Sequence, residues 1–156
     1  MKTLITYLFF TCFLWGQEVS FRVDWSNVLW GSDVNPPALN WKIGMSDYYN
    51  GTYTKLGFEV ERFAAIDYWQ WTFMKIDQEF SITEYFSFLT GVAFSQIYHR
   101  TSYSNNALSY AFNLEIQYRL NDWLKLSIQA NRERATDIEQ LWRDSAYGGI
   151  IYYWKY

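Results

Sequence analysis

With 156 residues, half of them apolar and 19% charged, the chain is long enough for one domain and too apolar for a disordered segment. A net charge of −3, with the 13 Lys and Arg scattered rather than gathered into a stripe, argues against a nucleic-acid partner. The aromatic content is 22%, from 9 Trp, 14 Tyr and 12 Phe, more than a soluble core ordinarily uses; aromatic belts at membrane–water interfaces use such rings in quantity.

The N-terminus reads as an address. Lys2 supplies a short positive region, Leu4 to Trp15 form an apolar run broken only by Thr6 and Thr11, and Gly16 offers a small residue for cleavage before Gln17. A run of roughly 12 residues is shorter than the ~20 that a spanning helix needs. We therefore assign 1–16 to a signal peptide and 17–156 to the mature domain. Two alternatives are a buried N-terminal element and a lipidated Cys12, although Phe9-Phe10-Thr11 is a poor context for lipidation. Cys12 is the sole cysteine, so the mature chain has no thiol for a disulfide or a cysteine-based metal site.

From Glu18 onward the sequence alternates with period two. Val19, Phe21, Val23 and Trp25 are interleaved with Ser20, Arg22, Asp24 and Ser26. Leu39, Trp41, Ile43 and Met45 follow the same rule, as do Leu56, Phe58 and Val60. The longest series runs Leu108, Tyr110, Phe112, Leu114, Ile116, Tyr118 and Leu120. Successive side chains on a strand point to opposite faces, so each stretch has one apolar and one polar face. Eight strands are predicted, near 19–28, 38–47, 53–63, 68–82, 85–97, 107–120, 123–134 and 145–156. Tight connections at Thr83-Glu84, at Asn121-Asp122 and around Asn50-Gly51 alternate with longer ones near 29–37, 98–106 and 135–144. Only the short 64–67 link departs from that alternation. A weak repeat relates Ile82-Thr83-Glu84-Tyr85-Phe86 to Leu120-Asn121-Asp122-Trp123-Leu124, each a strand end, a polar turn and an aromatic that opens the next strand.

Volume decides which face is internal. An eight-stranded barrel has an interior just wide enough for side chains to fill, and the Leu, Ile, Phe, Tyr and Trp of the apolar face would overpack it. The opposite face carries Gly44, Gly57, Gly91, Ala93, Ala111, Gly149 and several Ser, mixed with charges. Apolar out and polar in is the membrane arrangement. By parity the inward charges are Arg22, Asp24, Lys42, Lys55, Glu59, Glu61, Glu115, Arg119, Lys125 and Lys155, which would have to pair with one another. A sharper reading makes one of Glu59, Glu61 and Glu115 a catalytic or proton-handling carboxylate.

At the C-terminus Gly148, Ile150, Tyr152, Trp154 and Tyr156 alternate with Gly149, Ile151, Tyr153 and Lys155. This resembles the terminal strand by which outer-membrane barrels are recognised for insertion, with Tyr in the place of the commoner Phe. Together with the strand and turn pattern from Glu18 onward, it resembles the small OmpA-like and OmpX-like barrels. The resemblance implies an all-β, eight-stranded antiparallel up-and-down transmembrane barrel in a bacterial outer membrane. It implies as partners the membrane's lipids, lipopolysaccharide included, and the barrel-insertion machinery. Function does not follow from that fold, which hosts adhesins, structural barrels and lipid-modifying enzymes.

The residues that carry chemistry are few. A single histidine, His99, rules out multi-histidine metal sites, no phosphate-binding glycine loop is present, and no metal or other cofactor is expected. His99, Ser102 and Glu115 are the parts of a hydrolase triad, with Ser104 close by, and an outer-membrane lipid hydrolase is one alternative. A secreted lipocalin-like carrier, with the apolar face turned inward, is another. Arg132, Arg134 and Arg143 flank the last long connection among Glu133, Asp137, Glu139 and Asp144, either as solvated charges or as a grip on lipid phosphates. Trp30, Trp69, Trp71, Trp123, Tyr152, Trp154 and Tyr156 are expected at the membrane interfaces. The leading expectation is a barrel with a filled polar lumen and a structural or surface-interaction role exercised through its loops.

Overall fold

The period-two segments become eight strands in a computed structural model that describes residues 18–25, 40–63, 68–99, 107–135 and 143–154. They are β1 (Glu18–Asp24), β2 (Trp41–Tyr48), β3 (Thr54–Phe63), β4 (Tyr68–Ser81), β5 (Phe86–His99), β6 (Ala107–Arg119), β7 (Leu124–Ala135) and β8 (Arg143–Tyr153). Each strand pairs antiparallel with the next, and β1 pairs with β8, with Phe21 opposite Ile150 and Arg22 opposite Gly149. The result is a closed up-and-down barrel. Closure gives each strand a hydrogen-bonded neighbour on both sides, so the described sheet has no free edge strand. The long connections expected near 29–37, 98–106 and 135–144, and the 64–67 link, lie largely or wholly outside the described residues.

Three tight turns lie at one end. Between β2 and β3, Tyr49–Gly51 form a single 3-10 turn in which Asn50 (φ 48°) and Gly51 (φ 72°) occupy the left-handed region. That region penalises most L-residues and favours this dipeptide. The two repeat-related hairpins are closed alike. The Ile82 and Thr83 N–H groups both donate to Phe86 O (2.9 and 3.1 Å), as the Leu120 and Asn121 N–H groups do to Leu124 O (2.9 and 3.3 Å). Thr83 Oγ1 accepts from Tyr85 N (3.2 Å), and Asn121 Oδ1 accepts from Trp123 N (2.9 Å). The repeat thus encodes one turn design used twice, with a side-chain oxygen at its second position holding the fourth residue's N–H.

Among the described residues the strand register shifts at one level. In β4, Thr72 pairs with Ser95 but Met74 pairs with Phe94, so Phe73 is an extra residue; the β3–β4 register slips at the same level, between Gly57 and Glu59. This is a β-bulge. Phe73 and Met74 both face outward, 60% and 41% exposed, and the inward set changes from the even residues Gln70 and Thr72 to the odd residues Lys75, Asp77 and Glu79.

Elsewhere in the described strands the alternation is kept in the main, with Leu89, Ile97 and Ile151 among the few large apolar side chains that point inward. On β6, Ser109, Ala111, Asn113, Glu115 and Gln117 are buried, whereas Leu108, Phe112, Leu114, Ile116 and Tyr118 are exposed. The large apolar side chains of β6 therefore point away from the interior. An internal apolar cavity of the carrier type is incompatible with this polarity, because among the described residues the inward positions are chiefly polar or small.

Candidate functional site in the barrel interior

Among the described residues, buried charge is concentrated in the barrel interior. Its buried acids are Glu18, Asp24, Glu59, Glu61, Asp77, Glu79, Glu115 and Glu133, and its buried bases are Arg22, Lys42, Lys55 and Lys75. Lys125 and Arg143 reach in from the two ends. A buried ion without a partner costs several kcal/mol, by order of magnitude, so the geometry of pairing governs whether this sequence can close a barrel.

The pairs form three tiers. Nearest the tight turns, Lys55 Nζ lies 2.9 Å from Glu18 and 3.1 Å from Glu79, and Lys125 Nζ lies 2.5 Å from Glu18. The Tyr48 hydroxyl donates to Glu79 (2.5 Å). At mid-height, Arg22 bridges Glu115 (2.7 Å) and Glu59 (3.2 Å), and donates to Ser20 and Ser127. Lys75 sits among Glu59 (2.9 Å), Asp77 (3.2 Å) and Glu115 (3.7 Å), while Lys42 completes Glu59 at 3.3 Å. In the far tier, Arg143 lies 3.4 Å from both Glu61 and Glu133. The Tyr147 hydroxyl donates to Glu61 (2.6 Å) and Ser109 to Glu133 (2.6 Å), with Gln70 also donating to Glu133. Lys42 Nζ rests 3.8 Å from the centre of the Tyr147 ring.

This packing leaves little space. A void of about 10 Å³ lies between the mid and far tiers, lined in part by Lys42, Glu59, Glu61, Gln70 and Arg143, which is room for a single water at most. At the turn end the interior opens into a vestibule of about 440 Å³, bordered by Glu18, Tyr48, Glu79, Arg119, Lys125, Tyr153 and Trp154.

Of the residues singled out from sequence, Arg22, Asp24, Lys42, Lys55, Glu59, Glu61 and Glu115 are buried inside, and Lys125 sits at the turn-end tier. Arg119 is a correction. It closes β6 at the level of the turns, its side chain is 35% exposed, and it pairs with Asp122 (2.5 Å) at the rim of the vestibule. Lys155 lies outside the described residues. Six further participants are not among the lumen charges expected from sequence. Lys75, Asp77 and Glu79 follow the bulge, Glu18 stands at the expected edge of the first strand, and Glu133 and Arg143 pass for loop charges. Glu133 was recoverable, since it shares the parity of Lys125 on β7.

The triad does not assemble. His99 ends β5 opposite Tyr68, whereas Glu115 pairs with Leu89, ten positions lower on β5. That separation is about 33 Å at ~3.3 Å per residue, and Glu115 is engaged by Arg22, so it cannot orient His99. Ser102 and Ser104 lie outside the described residues.

Of the described aromatics selected from sequence, Trp69, Trp71, Trp123 and Tyr152 lie on the outer wall, and Trp154 stands at the border of the vestibule. Trp71, Trp123 and Tyr152 are exposed and Trp69 and Trp154 are half-buried, while Trp30 and Tyr156 lie outside the described residues. Trp41 and Trp69 meet edge to face at 5.7 Å, and Tyr152 touches both Trp123 and Trp154 (5.9 and 5.8 Å).

No family model matches the chain, and a search of curated proteins finds no match. Among solved structures, the Yersinia pestis outer membrane protein Ail, determined in a phospholipid bilayer nanodisc, superposes with a TM-score of 0.54 over 88% of this chain and 99% of that one. Identity is 11%, so the likeness concerns the fold. The chain has the eight-stranded antiparallel architecture of the small outer-membrane barrels.

Proposed function

We propose that this protein is an integral barrel of a bacterial outer membrane with a filled polar lumen, serving a structural or surface-interaction role through the loops opposite its tight turns. The observation that carries this reading is the polarity of the wall: apolar residues out, paired charges in, around a closed barrel. In water that arrangement would expose Phe21, Ile43, Phe73, Phe80, Leu114 and Ile128, among others, to no purpose. In a bilayer it becomes the stabilising surface, and a closed barrel leaves no backbone group unpaired in lipid.

Dimensions agree. On β6 the outward tyrosines Tyr110 and Tyr118 bracket Phe112, Leu114 and Ile116. Eight residues of strand rise about 26 Å, or about 20 Å of height at a tilt of about 40°. The apolar band of outer-membrane barrels is roughly 25 Å tall. Each tight turn also carries large exposed apolar side chains, namely Tyr49 and Tyr53, Ile82 and Tyr85, and Leu120 and Trp123, as a leaflet boundary favours.

On this reading residues 1–16 are a signal peptide, the tight turns are periplasmic, and the C-terminal strand is what the insertion machinery engages. Three tiers of ion pairs with a void no larger than one water disfavour an open pore, so the lumen acts as a rigid plug.

Cell fractionation tests the proposal, followed by electrophoresis of unheated and boiled detergent samples. Recovery in the outer membrane with heat-dependent mobility is the expected result. A product that stays soluble without detergent and shows no shift would overturn it.

A further inference from the structure

Two adjacent glycines interrupt β8. Gly148 and Gly149 stand opposite Val23 and Arg22 of β1. Glycine inside a strand loses more freedom on folding than other residues and brings no side chain to pack, so it weakens the strand unless the gap it leaves is used.

β1 uses that gap from both faces. On the outer wall the Trp25 indole lies over Gly148: a Cβ there would fall inside the ring system, 2.8 Å from Cδ1, 2.9 Å from Cε2 and closer still to Nε1. The Trp25 N–H donates to Ala146 O (2.7 Å), which carries the β1–β8 ladder one residue past Asp24. On the inner face Arg22 passes over Gly149. A Cβ there would lie 2.7 Å from Arg22 Cα, 2.8 Å from Arg22 Cγ and closer still to Phe21 O. The guanidinium beyond reaches Glu59, Glu115 and Ser127.

The place of these contacts gives them weight. At seven residues β1 is the shortest of the described strands, and far fewer register pairs join it to β8 than join β4 to β5. It is also the pairing between the first and last strands, with the longest loop to close. A side chain seated in a glycine gap on each face adds what the short ladder lacks.

We infer that the Gly148–Gly149 pair is the keyed joint at which β1 closes the barrel, gripped by Trp25 on the outer wall and by Arg22 in the lumen. The two halves differ in kind. Over Gly148 the neighbour is a ring, which a substitution can withdraw. Over Gly149 the nearest atoms include β1 backbone, which no side-chain substitution removes.

A double-mutant cycle on the detergent-folded barrel tests the joint, with the urea midpoint of the heat-dependent mobility shift as the readout. G148A should lower the midpoint by on the order of 1 M, as overpacking implies for a typical denaturant slope. W25A should lower it too, through loss of the ring. In the W25A background G148A should lose most of its effect, because the new Cβ enters space the indole has left. G149A should cost the same in both backgrounds. If G148A prevents folding outright, adding W25A should restore the heat-modifiable form. Repeating the cycle with W25L keeps it readable where W25A alone lowers the folded fraction too far. Equal cost of G148A with and without Trp25, relief of G149A by W25A, or a W25A barrel as stable as the unsubstituted one would each overturn the inference. Midpoints from tryptophan fluorescence serve equally if the chain proves soluble, so the joint is tested apart from the membrane reading.

Discussion

Arg22 and Glu115, 93 residues apart in sequence, meet inside the barrel with Nη2 2.7 Å from Oε1. The same guanidinium reaches Glu59 on β3 and Ser127 on β7, so one side chain from β1 ties together strands from every side of the wall. This is the use for which a planar, permanently charged fork suits a narrow lumen.

Removing one partner of this pair should therefore be worse than removing both. Glu115→Ala leaves Arg22 with one carboxylate fewer and should cost about 3–5 kcal/mol. Arg22→Met combined with Glu115→Leu should cost less than the sum of the single changes, because no uncompensated charge is left behind. Urea unfolding of the detergent-folded barrel, read by the shift between folded and unfolded mobility, measures both. Strict additivity would contradict a coupled pair.

The bulge at Phe73 makes opposite predictions for two one-residue deletions in β4. Deleting Phe73 leaves Thr72 in, Met74 out and Lys75 in, which regularises the strand and should change stability by less than about 2 kcal/mol. Deleting Ile76 instead turns Asp77 and Glu79 towards lipid and breaks the contacts of Lys75 with Asp77 and of Lys55 with Glu79. That variant should never acquire the heat-modifiable form. Equal behaviour of the two deletions would show that β4 sets its inward face in some other way.

Gly91 permits a close approach. A Cβ there would lie 2.1 Å from Ile76 O and 2.2 Å from Asp77 Oδ1, so β4 and β5 would have to separate. Gly91→Ala should cost about 1–3 kcal/mol. Gly51 serves the different need of a positive φ with open space around it, and Gly51→Asn, which tolerates that region, should lose less than about 1 kcal/mol. Denaturation midpoints of the two variants should separate in that order.

Lipid deacylation by a His99, Ser102 and Glu115 set requires His99 and Glu115 to meet, and the register holds those two about ten positions apart. Lipid A from cells expressing His99→Ala should match lipid A from cells expressing the unmodified chain when analysed by mass spectrometry. Loss of a deacylated species on that substitution would restore an enzymatic reading, with a different acid.

Period-two alternation, the Asn-Gly turn and the excess of large apolar side chains over what a narrow lumen can hold were enough to settle the all-β class, the number of strands and which face is inside. These are local or volumetric properties, and each strand carries them independently of its partners. Tertiary structure decided what depends on register between strands. It broke the parity of β4 at Phe73 and so brought Lys75, Asp77 and Glu79 into the lumen. It placed Arg119 at the rim instead of the interior, because that residue ends its strand at the level of the turns. It also set Arg132 beside Phe112 and Ala130 opposite Ala146, a relation among three strands that no periodicity within one strand can express. A single extra residue inverts every side chain beyond it, and only the pairing with neighbouring strands reveals where that residue is absorbed.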